Sequence, residues 1–301
     1  MKISELPFSE LKDQLKTEGL NFQTGPFAIR LQTQEINVVR GLQELYGDFP
    51  VCQPDVFVDF HITLKNPSLL RRWIRPQVVC LFDGEAPFPP LSTEQAYPLL
   101  ETCLNWYIYA EVYNFLIIHA GAVEKNGYAA ILPGKSGAGK STLTSALVNR
   151  GWRLLTDELT LISLTTNEII PLARPVSLKN QSITILKQFE PNVCIGGKCD
   201  GTAKGTVAYM RPPADSVARV HERPLPKYLI FPRYKENVSL SMKPIDKTQA
   251  FIHLSDGLVN YAVIGLSGFN SLTKLIEASN CYELTYSDLN QAISCFDELM
   301  P

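Results

Sequence analysis

The stretch 131–162, "ILPGKSGAGKSTLTSALVNRGWRLLTDELTLI", decides the fold. It opens on an apolar run, passes through Gly134, Gly137 and Gly139, and continues with helical spacing. It ends in a second apolar run that Asp157 and Glu158 interrupt. Gly134, Lys135, Ser136, Gly137, Ala138, Gly139, Lys140 and Ser141 satisfy the pattern G-x-x-x-x-G-K-[ST], and Thr142 follows. Glycines at those places let successive backbone N–H groups turn toward phosphate oxygens, and the helix behind them adds its positive end. Lys140 is expected at the β and γ phosphates, and the Ser141 hydroxyl on magnesium. The spacing predicts a strand–loop–helix unit whose residues 134–142 bind a nucleotide, with ATP and Mg²⁺ as cofactors.

Asp157 and Glu158 follow Lys140 by one helix and one strand. In an α/β sheet that is the carboxyl end of the strand beside the loop, where such sheets bind ligands. Two carboxylates there suit two tasks of phosphoryl transfer, holding the metal through water and accepting a proton from an attacking hydroxyl. His119 closes the run "FLII" on the preceding strand. A lone histidine in such a place reads either as a hydrogen-bonded core residue or as a catalytic or phosphate-binding one.

Outward from this unit, 301 residues suffice for two modest domains. A net charge of -2 gives no global argument for a nucleic-acid or membrane partner. The N-terminus lacks an apolar run after its lysine, and "NWYIYAEVYNFLIIHAGA" is too polar to span a bilayer. Seven scattered cysteines suit a reducing compartment, so a cytoplasmic protein is expected. Residues 1–114 read as an α+β module without a catalytic motif. Its expected elements are a helix over 5–18, a helix with Val38, Leu42 and Leu45 on one face, a strand through Val56, Val58, Phe60 and Ile62, and a long helix over 93–114. Residues 115–301 read as the nucleotide-binding domain. In it, "CIGGKCDGTAKGTVAYMRPPADSVAR" is a flexible basic loop that brings Lys204 and Arg211 to the phosphates, and helices are expected over 181–188, 268–278 and 286–298.

The order "IIHAGAVEKNGYAAILPGKSGAGKST…LVNRGWRLLTDE" resembles the catalytic domain of the HPr kinase/phosphorylase family. The whole chain is similar to the group called HprK-related kinase A, through "RGWRLLTDELTLI", "LARPVSLKNQSI", "KGTVAYMRPPADSVAR" and "YSDL". The resemblance implies an α/β, P-loop-containing HPr-kinase-like domain behind the N-terminal α+β module. It implies Asp157 as general base, Glu158 as the metal-holding acid, His119 in the active site, and Arg174 as the arginine of the signature segment. True HPr kinases carry Asp-Asp where this chain has Thr156-Asp157-Glu158, and an acid just before the signature arginine where it has Leu172-Ala173. Such a family member is a kinase that transfers the γ-phosphoryl group of ATP to a hydroxyl, serine above all, of a protein or peptide, and it forms homo-oligomers. A P-loop kinase of a small molecule such as free serine, and a nucleotide-binding ATPase or switch, are the alternatives. The strand continuation "LTLISLTTNEII" favours the HPr-kinase arrangement over the small-molecule kinases, and "GLSGFN" lacks the context of an ABC signature.

Overall fold

The structure is a computed structural model that describes residues 1–299, leaving aside Pro54, Leu69, Ser136 and the side chain of Arg72. The chain divides into two compact units, 1–110 with 194–211, and 111–193 with 212–301.

The first unit begins with α1 (Phe8–Lys16), β1 (Leu20–Thr24), β2 (Phe27–Thr33) and α2 (Ile36–Leu45). There follow β3 (Phe60–Lys65), β4 (Gln77–Phe82), β5 (Leu91–Ser92) and α3 (Ala96–Glu111). The strands form a sheet in sequence order, antiparallel except where β2 and β3 run parallel. Val38, Leu42 and Leu45 are buried along α2, as their spacing predicts. Gly41 on the same helix lies under the Tyr97 ring, where an added Cβ would meet ring carbon Cδ2 at 2.2 Å. The hydroxyls of Tyr46 and Tyr97 both donate to the buried Glu101, at 2.8 and 2.9 Å. The strand expected from Val56 begins only at Phe60; Val56 is itself 38% exposed, so the alternation upstream reflects no buried face.

The second unit continues with β6 (Phe115–Lys125), β7 (Tyr128–Pro133), α4 (Lys140–Val148), β8 (Arg153–Thr156), β9 (Leu159–Ser163) and β10 (Ile169–Ile170). It then has β11 (Val176–Lys179) and α5 (Gln181–Phe189). The basic stretch expected as a flexible loop folds instead as a hairpin, β12 (Cys199–Thr202) and β13 (Gly205–Met210), within the first unit. Gly205 at φ 83° makes its turn, and the Thr202 hydroxyl donates to Gly205 O at 2.6 Å. The chain ends in α6 (Ala214–Ala218), β14 (Leu225–Tyr234), β15 (Ser241–Pro244), α7 (Lys247–Ser255), α8 (Tyr261–Ala278), β16 (Asn280–Tyr286) and α9 (Leu289–Leu299). The helix expected over 268–278 starts earlier and kinks at Gly265, which sits at φ 54°.

The main sheet of this unit runs β10-β9-β6-β7-β14-β16-β15, with β8 paired to the same strand, β6, as β9. At its centre β7, β14 and β16 are parallel. On one face Leu116, Ile118 and Ala120 of β6 share a core with Leu254, Leu272 and Leu275 of α7 and α8. Gly121 turns to the other face, against Thr144 of α4, where a Cβ would come within 2.7 Å of the Thr144 hydroxyl. Trp152 and Phe296 stack edge to face beneath α9. Arg153 and Glu124, opposite one another on β8 and β6, form a buried ion pair of 2.6 Å that the Arg219 guanidinium joins at 3.5 Å. Among the described residues, no helix is long and apolar enough to cross a membrane.

Candidate functional site

The carboxyl ends of the parallel strands β7, β14 and β16 meet at one place, and the glycine loop lies there. β7 stops at Pro133 and α4 starts at Lys140. Gly137 and Gly139 take φ of 84° and 89°, a region that Cβ-bearing residues rarely enter. The loop is pinned from the neighbouring strand ends. Tyr234 N–H donates to Ala138 O at 3.1 Å, and the Tyr286 hydroxyl donates to Gly139 O at 3.2 Å. A Cβ on Gly139 would stand 2.6 Å from that hydroxyl, so glycine is needed here for space as well as for φ.

Lys140, the first residue of α4, is buried, and its ammonium donates to the carbonyls of Gly134 and Lys135, the latter at 3.2 Å. Burial lowers its pKa; Asp157 and Glu158 pull it back up, and the charge of Lys179 lowers it further. Ser141 follows on the same helix end, and its hydroxyl donates to Asp157 Oδ2 at 3.1 Å.

The acidic pair occupies the break between β8 and β9. β8 pairs with β6 at 122–124, with a register shift between Ala122 and Val123, and β9 pairs with β6 at 115–119. Thr156 bridges the break by accepting from Leu159 N–H at 3.2 Å. Asp157 is left 9% exposed. Its Oδ2 accepts from Ser141 and from Ser177 N–H at 3.2 Å, while Oδ1 is buried without a hydrogen-bond partner. Burial pushes the carboxyl up to about 7, and the neighbouring Glu158 charge adds to the shift; Ser141, Lys179 and Ser177 oppose it.

A cavity of about 590 Å³ opens over these groups. His119, Lys135, Lys140, Ser141, Asp157 and Glu158 line it together. Gly137, Gly139 and Thr142 line it as well, with Gly134 and Ala138 in the same loop; Ser136 lies outside the described residues. His119 is set by its backbone N–H, which donates to Gly257 O at 2.7 Å, and it stands opposite Leu159, beside the acidic pair.

Arg174, which the resemblance implies, and Lys204 and Arg211, expected at the phosphates, are not among the lining residues. Arg174 is buried between β10 and β11, its N–H bonded to Leu172 O at 2.9 Å. Lys204, in the β12–β13 turn, and Arg211, just beyond β13, belong to the first unit. Arg211 pairs there with Asp48, Nη2 to Oδ2 at 2.5 Å. The cavity instead contains residues that the motif did not point to: Lys179 of β11, Phe189 of α5, Tyr234, Tyr286, and Asp288 before α9. The signal for Lys179 was present in "VSLK", an apolar–polar alternation that turns Ser177 and Lys179 the same way. Among the described residues, no group of three or more His, Cys, Asp or Glu side chains is gathered as a metal cluster.

No family model matches the chain, and no curated protein matches it. Among solved structures, 26 chains match. One of them is an HPr(Ser) kinase/phosphatase from Coxiella burnetii, at 12% identity and a TM-score of 0.26, covering 61% of this chain and 96% of that one. So slight a likeness leaves the function to be argued from the site.

Proposed function

We propose that the protein is a Mg²⁺-dependent P-loop kinase that transfers the γ-phosphoryl group of ATP to a hydroxyl, serine of a protein or peptide above all. The observation that carries this reading is the Asp157 carboxylate. It sits beside a phosphate-binding loop, with one oxygen fixed by Ser141 and Ser177 and the other without a partner. A carboxyl held at about 7 is matched to taking a proton at neutral pH.

The loop N–H groups and Lys140 bind the phosphates of ATP, the ammonium exchanging its bonds to loop carbonyls for bonds to phosphate oxygens. The donor set fits magnesium, because Ser141 acts as donor toward Asp157 and so keeps its lone pairs, and Glu158 lines the same cavity. Ser141 and Glu158 would hold the ion, which neutralises phosphate charge when bound. The acceptor oxygen forms its bond to the γ-phosphorus as the bond to the bridging oxygen of ADP breaks. The acceptor's proton passes to the Asp157 carboxylate. His119 lines the cavity next to the pair, where it can hydrogen-bond the acceptor or the phosphoryl oxygens.

Lys140→Ala and Asp157→Asn separate the two halves of this reading. The first is expected to lose ATP binding; the second is expected to keep binding and lose transfer by about 10²-fold or more. Transfer by Asp157→Asn at the wild-type rate would overturn the base assignment.

A further inference from the structure

Phosphoryl transfer spreads charge over three equatorial oxygens, and enzymes meet that charge with fixed cations. The cavity holds three ammonium groups, from Lys135, Lys140 and Lys179. Lys140 is engaged with the loop, and Lys135 pairs with Asp256 at 3.7 Å on an exposed surface. Lys179 differs from both. Among the described residues, no carboxylate lies within 4.0 Å of its ammonium.

Its backbone is held on both sides by one side chain. Lys179 N–H donates to Ser182 Oγ at 2.7 Å, and that hydroxyl donates back to Lys179 O at 2.7 Å. Asn180 turns the chain at φ 51° between them, so β11 ends abruptly and α5 begins at Gln181. Along β11, Val176 and Leu178 are buried, while Ser177 and Lys179 face the cavity. The same strand face therefore gives one N–H to Asp157 Oδ2 and, two residues on, one ammonium to the space above it. The charge of Lys179 is felt at both Lys140 and Asp157, the phosphate end and the acceptor end of the site.

We propose that Lys179 is a catalytic residue whose ammonium contacts the γ-phosphoryl group during its transfer, a role of the kind expected of Lys204 and Arg211 in the basic stretch. This rests on the kinase reading above. Carried on a hydrogen-bonded strand end and free of a carboxylate, the group needs no rearrangement of partners to meet developing charge, which is the condition for electrostatic catalysis.

The test compares the affinities of Mg·ADP and of a Mg-bound non-hydrolysable ATP analogue for wild type, Lys179→Met, Lys179→Gln, Lys179→Arg and Lys140→Ala. Loss of a charge-assisted bond to the γ-phosphate is expected to weaken the analogue by about 10- to 100-fold in Lys179→Met and Lys179→Gln. ADP affinity stays within about twofold, because ADP lacks that phosphate, and Lys179→Arg regains most of the loss. ADP affinity also reports that each variant is folded. Equal weakening of both nucleotides, or weakening of neither, overturns the assignment of Lys179 while leaving the kinase reading intact. Wild type that binds neither nucleotide, or Lys140→Ala that binds like wild type, overturns the kinase reading and the proposal with it.

Discussion

Asp157→Asn should make the nucleotide-free protein more stable at pH 8 while removing its chemistry. The carboxyl titrates at about 7 in the folded chain against an ordinary 3.8, mainly because burial disfavours the charge. A folded-state pKa raised above the unfolded one means that ionised Asp157 works against folding. Its contribution is therefore most favourable at low pH and is lost as pH rises through about 7. The difference between the two values corresponds to about 4 kcal/mol above pH 7, of which about 3 kcal/mol is regained by pH 5. Asparagine is never charged, and its Oδ1 can accept the bonds from Ser141 and Ser177. Its amide nitrogen then lacks a partner where Oδ1 of Asp157 lacks one now, so the net gain at pH 8 should be about 1–3 kcal/mol. At about 2–4 °C per kcal/mol for a unit of this size, melting rises by about 2–12 °C. Thermal and urea unfolding of both proteins at pH 5 and pH 8 provide the assay, and the gap should shrink at pH 5. A variant less stable than wild type at pH 8, or a gap that ignores pH, would refute the placing of an ionisable, desolvated carboxylate at the site. The predicted gain would tie activity to a stability deficit, as expected where a charged group is buried for chemistry.

Removing one partner of the buried pair, as in Glu124→Ala, should destabilise the protein by about 3–5 kcal/mol, because Arg153 is left charged and buried. The double change Glu124→Leu with Arg153→Met should regain most of that loss in urea unfolding. Gly139→Ala should weaken nucleotide binding by about tenfold or more, since it combines φ 89° with a clash against Tyr286. Adding Tyr286→Phe removes the clash and not the backbone strain, so titration with Mg·ATP should show partial recovery. Gly41→Ala should cost about 1–3 kcal/mol in the first unit, because a Cβ cannot fit against the Tyr97 ring. A wild-type unfolding midpoint for that variant would show that α2 and Tyr97 do not meet as described.

The parts of this protein that were legible in its sequence are those set by local rules. Gly137 and Gly139 announce a loop because few other residues enter their φ region, and helix α4 follows within a residue of its expected start. Val38, Leu42 and Leu45 read directly as a buried helix face. What stayed hidden depends on contacts between distant segments. Nothing local to "CIGGKCDGTAKGTVAYM" shows that it pairs into a hairpin and joins the first unit, or that Arg211 meets Asp48. Tyr234 and Tyr286 reach the glycine loop only because β14 and β16 lie parallel beyond β7, a strand order that no residue of the motif encodes. Glycines and basic residues suggested a mobile phosphate clamp in that stretch, whereas Lys179 enters the cavity from a short strand, where only the alternation of "VSLK" marks it.

The most direct test of the account is transfer of label from γ-labelled ATP in dialysed and undialysed cell lysate, with added wild-type protein, Asp157→Asn or Lys140→Ala. The account predicts label in a protein or peptide, present with wild type in both lysates and absent with either variant. Label confined to small molecules and lost on dialysis would contradict a protein acceptor. Label in neither fraction would contradict kinase activity itself and leave a nucleotide-binding ATPase or switch.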